Sequence, residues 1–139
     1  MKNLLWIPLL LVSCQPCFAQ VNLDKIAFIE SSHNPDALGD YHMGKPRSVG
    51  LYQIGVGLLK DFNDAHKTDY YHVEMRSPDQ AERVATWAFK TYFPRILKSM
   101  GKKVTTERLI ICWNAGCGAL ERKSIPETTR KYIQKYKKG

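Results

Sequence analysis

The sequence predicts a mainly α-helical domain with at most a small β-hairpin. Three observations carry that expectation. Apolar residues recur three and four apart along most of the chain beyond residue 20, which is the spacing of one helix face. Residues that start and stop helices punctuate those stretches: Ser77-Pro78 and Ser124 at starts, Gly101 and Gly116 at ends. Runs that alternate apolar and polar residues, the mark of a half-buried strand, are nearly absent. At 139 residues the chain has the size of one domain with an ordinary core.

The first 19 residues are read apart from that domain, which is assigned to residues 20–139. Lys2 and Asn3 precede an apolar run over 4–12, and a small-residue cleavage site follows at Ala19. The run is too short to span a bilayer, and Pro8 and Pro16 argue against a buried helix. An export signal over 1–19 is expected, with a periplasmic or secreted product. Leu11-Val12-Ser13-Cys14 also resembles a bacterial lipobox; lipidation of Cys14 would tie the protein to a membrane instead.

A first helix is expected near 22–32. Leu23, Ile26, Ala27 and Glu30 share one face, so Glu30 is the ionisable group in an apolar stripe. Such a Glu is a misplaced surface residue, a partner in a buried ion pair, or a carboxyl kept partly dry. The last keeps its proton to higher pH, as a general acid near neutral pH must. Asn34-Pro35 ends the helix. Residues 36–49, with Gly39, Gly44 and Pro46, read as a long loop that holds at most a short hairpin.

Helical character resumes from Gly50 to about Ala65, with Gly55 and Gly57 dividing it. Residues 67–76 read as irregular. Ser77 and Gln80 suggest a capping box with Pro78 at the first helical position, and Ala81, Val84, Ala85, Ala88 and Tyr92 form the buried stripe. Pro94 should kink or restart this helix before Gly101. Thr105 or Thr106 caps the next, which runs through Cys112-Trp113 and breaks at Asn114-Ala115-Gly116. A second capping box, Ser124 with Glu127, opens a last helix with Tyr132, Ile133 and Tyr136 on one side.

The net charge is +8, from 21 basic and 13 acidic residues, which suits a polyanionic surface such as cell wall or lipid headgroups. No zinc-finger or RNA-binding pattern is present, and aromatics do not alternate with basic residues, so no nucleic-acid partner is expected. No metal is expected either, because no second Cys or His pair has ligand spacing; no cofactor is called for. Cys14 and Cys17 fall in the leader, leaving Cys112 and Cys117. An even pair in an oxidising compartment suggests a disulfide. On an unbroken helix their Cα atoms would be roughly 8–9 Å apart, but Asn114-Ala115-Gly116 can turn the chain.

Three blocks stand apart from core-building. They are Glu30-Ser31-Ser32-His33-Asn34-Pro35-Asp36-Ala37, then Ser48-Val49-Gly50-Leu51-Tyr52-Gln53-Ile54, then Trp113-Asn114-Ala115-Gly116. In this order, behind an export signal, they resemble the lytic transglycosylases of the soluble (Slt) type, which share the goose-type lysozyme fold. That family runs Glu-Ser-x-x-Asn-Pro-x-Ala, Ser-x-x-Gly-Leu-x-Gln-Ile and Tyr-Asn-Ala-Gly. The resemblance covers about residues 22–118.

The resemblance implies a single lysozyme-like helical domain whose groove binds peptidoglycan glycan strands. It implies that Glu30 cleaves the bond between N-acetylmuramic acid and N-acetylglucosamine as acid and then base, leaving a 1,6-anhydro ring. Ser31 and Gln53 match positions that orient the Glu or contact sugar, and Ser48 and Asn114 belong to blocks lining the same cleft. Gly50 would let backbone approach closely, and Tyr52 could stack on a sugar. The family's Tyr before Asn-Ala-Gly is Trp113 here, which donates but cannot accept. Envelope-spanning machinery is a further partner that such an enzyme could serve. Two alternatives stay open: a hydrolytic muramidase using Asp36 or Asp40 as second carboxylate, and a weakly catalytic or non-catalytic wall-binding protein.

Overall fold

The computed structural model describes residues 19–41 and 44–139. The leader expected over 1–19, with its lipidation and cleavage features, lies outside the described residues except for Ala19. The described chain is mainly helical, with one small antiparallel sheet. Its elements are α1 (Leu23–Ser31), β1 (Leu38–Gly39), β2 (Ser48–Val49), β3 (Ile54–Gly55), α2 (Val56–His66), α3 (Pro78–Trp87), α4 (Phe93–Ser99), α5 (Thr106–Ala115) and α6 (Glu127–Lys138).

The centre of the fold is α5, where four consecutive residues, Leu109 to Cys112, are buried. A helix apolar on every side must be surrounded, and α4 and α6 pack on it. α6 also packs on α1, where the Tyr136 hydroxyl accepts from the Asn22 backbone amide at 2.7 Å. Asn22 caps α1 through its side chain, accepting from Lys25 N at 3.2 Å. Ser32 and His33 then take left-handed backbone, which ends α1 before Asn34-Pro35.

The hairpin expected in the loop forms, with Leu38 opposite Val49 and Gly39 opposite Ser48. A third strand lies where a helix was expected: Ile54–Gly55 pairs with β2. The turn between them explains the difference. Gly50 and Gln53 both have positive φ, +83° and +49°, which reverses the chain and delays α2 until Val56. Gly50 is also confined, because a Cβ there would stand 1.8 Å from the Met75 carbonyl oxygen. Gly55 is the N-cap of α2 and Gly57 sits in its first turn, so neither divides a helix.

Three further expectations are corrected. Residues 72–76, read as irregular, form a 3₁₀ turn in which Glu74 Oε2 accepts from Tyr71 N at 2.5 Å. Ser77 does start α3 ahead of Pro78, but makes no side-chain cap; its own N–H is used to close that turn on Glu74 O at 2.8 Å. At α6 the N-cap is Pro126, one residue before Glu127, so Ser124 is too early to cap and Glu127 pairs with Arg130 instead. Thr105 caps α5 as expected.

Between α3 and α4 the chain makes a π-helical turn over Ala88–Tyr92. Pro94 lacks an amide proton and its ring would collide with the carbonyl four residues back. The wider turn absorbs that conflict while the helix continues through Phe93. No helix among the described residues is long and apolar enough to cross a membrane.

Candidate active site

A cleft of about 530 Å³ runs between the small sheet and the helices, and Glu30, Asp40, Ser48, Gln53, Trp113 and Asn114 are among its lining residues. α1 supplies Glu30, half-buried on the face shared with buried Ile26 and Ala27. Two neutral donors converge on one of its oxygens. Trp113 Nε1–H donates to Oε1 at 2.9 Å and the Tyr132 hydroxyl donates to the same atom at 2.7 Å. No hydrogen bond reaches Oε2 from the described residues.

Burial pushes the Glu30 carboxyl above its ordinary value of 4.5, and the charge of Asp40 adds to the rise. The bonds from Tyr132 and Trp113 favour the charged form and work against that shift without reversing it. The result is a carboxyl biased toward its acid form whose carboxylate form is still received by two donors. Burial, followed by the charge and hydrogen bond of Glu30, holds the Tyr132 phenol far above its ordinary 10.0, so it remains a donor.

Trp113 is held by its neighbours as well as by Glu30. Its ring stacks on Phe89 at 4.8 Å and meets Phe93 edge-on at 6.4 Å. Cys112 and Cys117 are bridged, with Cα atoms 4.0 Å apart, because Gly116 at φ +78° folds the chain back after α5. The exposed Asn114 lies inside that closed loop and lines the cleft.

Ser48 and Gln53 line the cleft but brace it more than they face it. The Ser48 hydroxyl donates to Gln53 Oε1 at 2.9 Å, and Gln53 Nε2 donates to the carbonyls of Gly50 and Ala37 at 2.9 and 3.1 Å. That network holds the left-handed turn at Gln53. Four other candidate site residues stand elsewhere. The Ser31 hydroxyl bonds backbone, donating to Leu51 O at 2.8 Å and accepting from Asn34 N at 3.1 Å, and makes no bond to Glu30. Gly50 is buried under Met75. Tyr52 is 5 % exposed in the core, which removes it as a stacking platform. Asp36 is exposed beside Arg76 at 3.9 Å and is not among the lining residues.

Residues not singled out from sequence also reach the site. Tyr132 read only as part of a buried stripe. Arg47, Leu58, Asp61, Tyr92 and Phe93 also line the cleft. Asp61 lies three residues after Leu58 and one before buried Phe62, so it carried the same signal as Glu30: an acid among apolar anchors on a helix. Its Oδ2 accepts the Tyr92 hydroxyl at 2.5 Å, a bond that, with burial and the Asp61 charge, raises the Tyr92 phenol to about 12. The chain matches no family model, no curated protein and no solved structure.

Proposed function

We propose that this protein is a peptidoglycan lytic transglycosylase with Glu30 as its single acid/base. The observation that carries the reading is the convergence of Trp113 and Tyr132 on Oε1 of a carboxyl whose burial favours its protonated form. In the acid form the carbonyl oxygen takes both donated bonds, so the proton resides on Oε2. That proton passes to the glycosidic oxygen between N-acetylmuramic acid and N-acetylglucosamine, and the bond to C1 breaks. The carboxylate, steadied by its two donors, then takes the proton of the muramic C6 hydroxyl while O6 closes on C1. Glu30 ends protonated, and no water is consumed.

The three sequence blocks support the same reading. Their Glu30, Ser48-to-Gln53 and Trp113-Asn114 segments meet around one cleft. Trp113 in place of the family's Tyr leaves a donor on Glu30, so the substitution gives no reason to expect a disabled carboxyl. An internal hydroxyl nucleophile also fits a site with one carboxyl so equipped, since most glycosidases need two.

One observation favours a second reading, hydrolysis. Asp40 lines the cleft and its charge acts on Glu30, so it could activate a water in place of the C6 hydroxyl. Digestion of purified sacculi followed by mass analysis tests the proposal. Anhydro-muramic ends are expected; reducing ends would transfer the assignment to a muramidase, and no fragments would end both in favour of a binding protein. A leader over 1–19 and a glycan-strand substrate would together fit action in the periplasm or outside the cell.

A further inference from the structure

The cleft shares an aromatic wall with a second depression. Tyr92 lines the cleft and stacks on Trp87, with ring centroids 4.7 Å apart. Trp87 is partly buried against the core and lines a groove of about 510 Å³ on the faces of α2 and α3. Its ring is held by edge contacts from Phe62 and His66, each 5.5 Å between centroids. Around it stand Asp79, Glu82, Arg83 and Lys90. Among the described residues Asp79, Glu82 and Lys90 take part in no ion pair.

A partly buried ring that lines a groove among unpaired carboxylates and an ammonium has a definite chemistry. A pyranose offers an apolar C–H face to the negative face of an aromatic ring, and a rim of hydroxyls that carboxylates accept from and ammonium groups donate to. An apolar ligand would leave the charges without partners.

We propose that the groove beside Trp87 is a second saccharide-binding site, occupied by a glycan strand that continues from the cleft past Tyr92. The inference rests on the reading of the cleft as a glycan site. Two linked sites on one polymer bind as a unit, so long strands gain affinity that short oligomers do not.

The chain has three tryptophans, Trp6, Trp87 and Trp113, and each gives a separate indole N–H signal in nuclear magnetic resonance. Single Trp→Phe substitutions assign them, and the whole chain carrying Glu30→Gln prevents turnover. The probes are a short N-acetylglucosamine oligomer and long, uncross-linked glycan strands. The oligomer should move the Trp113 signal. Long strands should move both Trp113 and Trp87 and bind at least about tenfold more tightly. Asp79→Ala with Glu82→Ala, which removes both acceptors, should abolish the Trp87 shift and the tenfold gain while sparing the Trp113 shift. A stationary Trp87 beside a moving Trp113 overturns this inference alone. A Trp87 shift that survives the paired rim substitution also overturns it, because the shift is then relayed through Tyr92. If neither signal moves, the cleft reading falls and this one with it.

Discussion

Tyr132 stands 102 residues from Glu30 in the chain, yet its hydroxyl donates to Oε1 of that carboxyl over 2.7 Å. The site is therefore completed only when the last helix docks. α6 buries Thr129, Tyr132 and Ile133, and of these three Tyr132 reaches Glu30. Trp113 on α5 and Tyr132 on α6 together bring two helices to one oxygen of α1, and a loss of either donor should be felt in the titration of Glu30 before it is felt in the fold.

Tyr132→Phe removes a bond that favours the charged form of Glu30, so its pKa should rise further. The alkaline limb of kcat/KM, which reports loss of the essential acid, should move to higher pH. Hydrogen bonds to charged groups are worth about 1.5–3 kcal/mol, so turnover should fall by about tenfold or more. A pH profile on purified peptidoglycan checks both. A limb that stays in place would mean that the phenol does not act on Glu30.

Asp40→Asn should move the same limb the other way. The Asp40 charge raises the Glu30 pKa, and removing it lets the proton leave at lower pH. Turnover should change little near the optimum if the nucleophile is the muramic C6 hydroxyl. If Asp40 instead activates water, the variant should lose most of its activity, and the wild-type products should carry reducing ends.

Much of the helical frame was legible because helix stripes are local. Ile26, Ala27 and Glu30 lie close in sequence, and so do Ala81, Val84 and Ala85; the structure buries them as the spacing requires, with Glu30 at the edge. The third strand was not legible, because it depends on left-handed backbone at Gln53, which is sustained by Ser48 and by the Ala37 carbonyl. Nothing within residues 50–57 announces that support. Tyr132 was hidden for a related reason: at helical spacing it is one more aromatic on a buried face, and only the packing of α6 on α1 gives it a role. Tyr52 was misread because a motif position adjacent to Gln53 is not a direction, and its ring turns into the core.

The glycines of this region separate by conformation, so their alanine variants should diverge. Gly50→Ala places a Cβ 1.8 Å from the Met75 carbonyl at a φ of +83°, and the turn into β3 should collapse, with little folded protein recovered. Gly57 lies in the first turn of α2 with nothing within 4 Å of an added Cβ. Gly57→Ala should stabilise the helix by up to about 1 kcal/mol, raising Tm by roughly 2–6 °C. Thermal scans of the two purified variants decide the matter; a folded Gly50→Ala protein of normal Tm would contradict the assigned close approach.

The bridge between Cys112 and Cys117 closes the turn that carries Asn114. Peptide mapping of the native protein should find neither thiol open to alkylation until a reductant is added. Replacing both by Ser should destabilise by about 2 kcal/mol or less, the low end of the usual range, because the loop is short. Activity should fall more than stability does, since Trp113 and Asn114 lie within the freed turn. Free thiols at both positions in the native protein would remove the constraint.

Glu30→Gln separates the chemical role of the carboxyl from its structural one. The amide is nearly isosteric, and its carbonyl oxygen can keep both bonds from Trp113 and Tyr132, so the fold should persist. It has no proton to give the leaving oxygen and cannot serve as base, so turnover should fall by at least the ~10²–10⁴-fold of general acid–base catalysis. Stability should respond in a way that depends on pH. Glu30 holds its proton more tightly in the folded chain than at its ordinary value of 4.5, so between those two pKa values the folded state binds more protons than the unfolded one. The stabilisation from this group is complete below the unfolded value and is lost as pH rises through the folded one. The substituted chain has no such group. The Tm of Glu30→Gln minus that of the native chain should therefore grow as pH rises across that interval and then level off. Paired thermal scans across that range, beside anhydro-product release at each pH, test both halves. A folded variant that still releases anhydro products at near-native rate would end the assignment of Glu30. A Tm difference that shrinks with rising pH would mean that the carboxyl is held in its charged form.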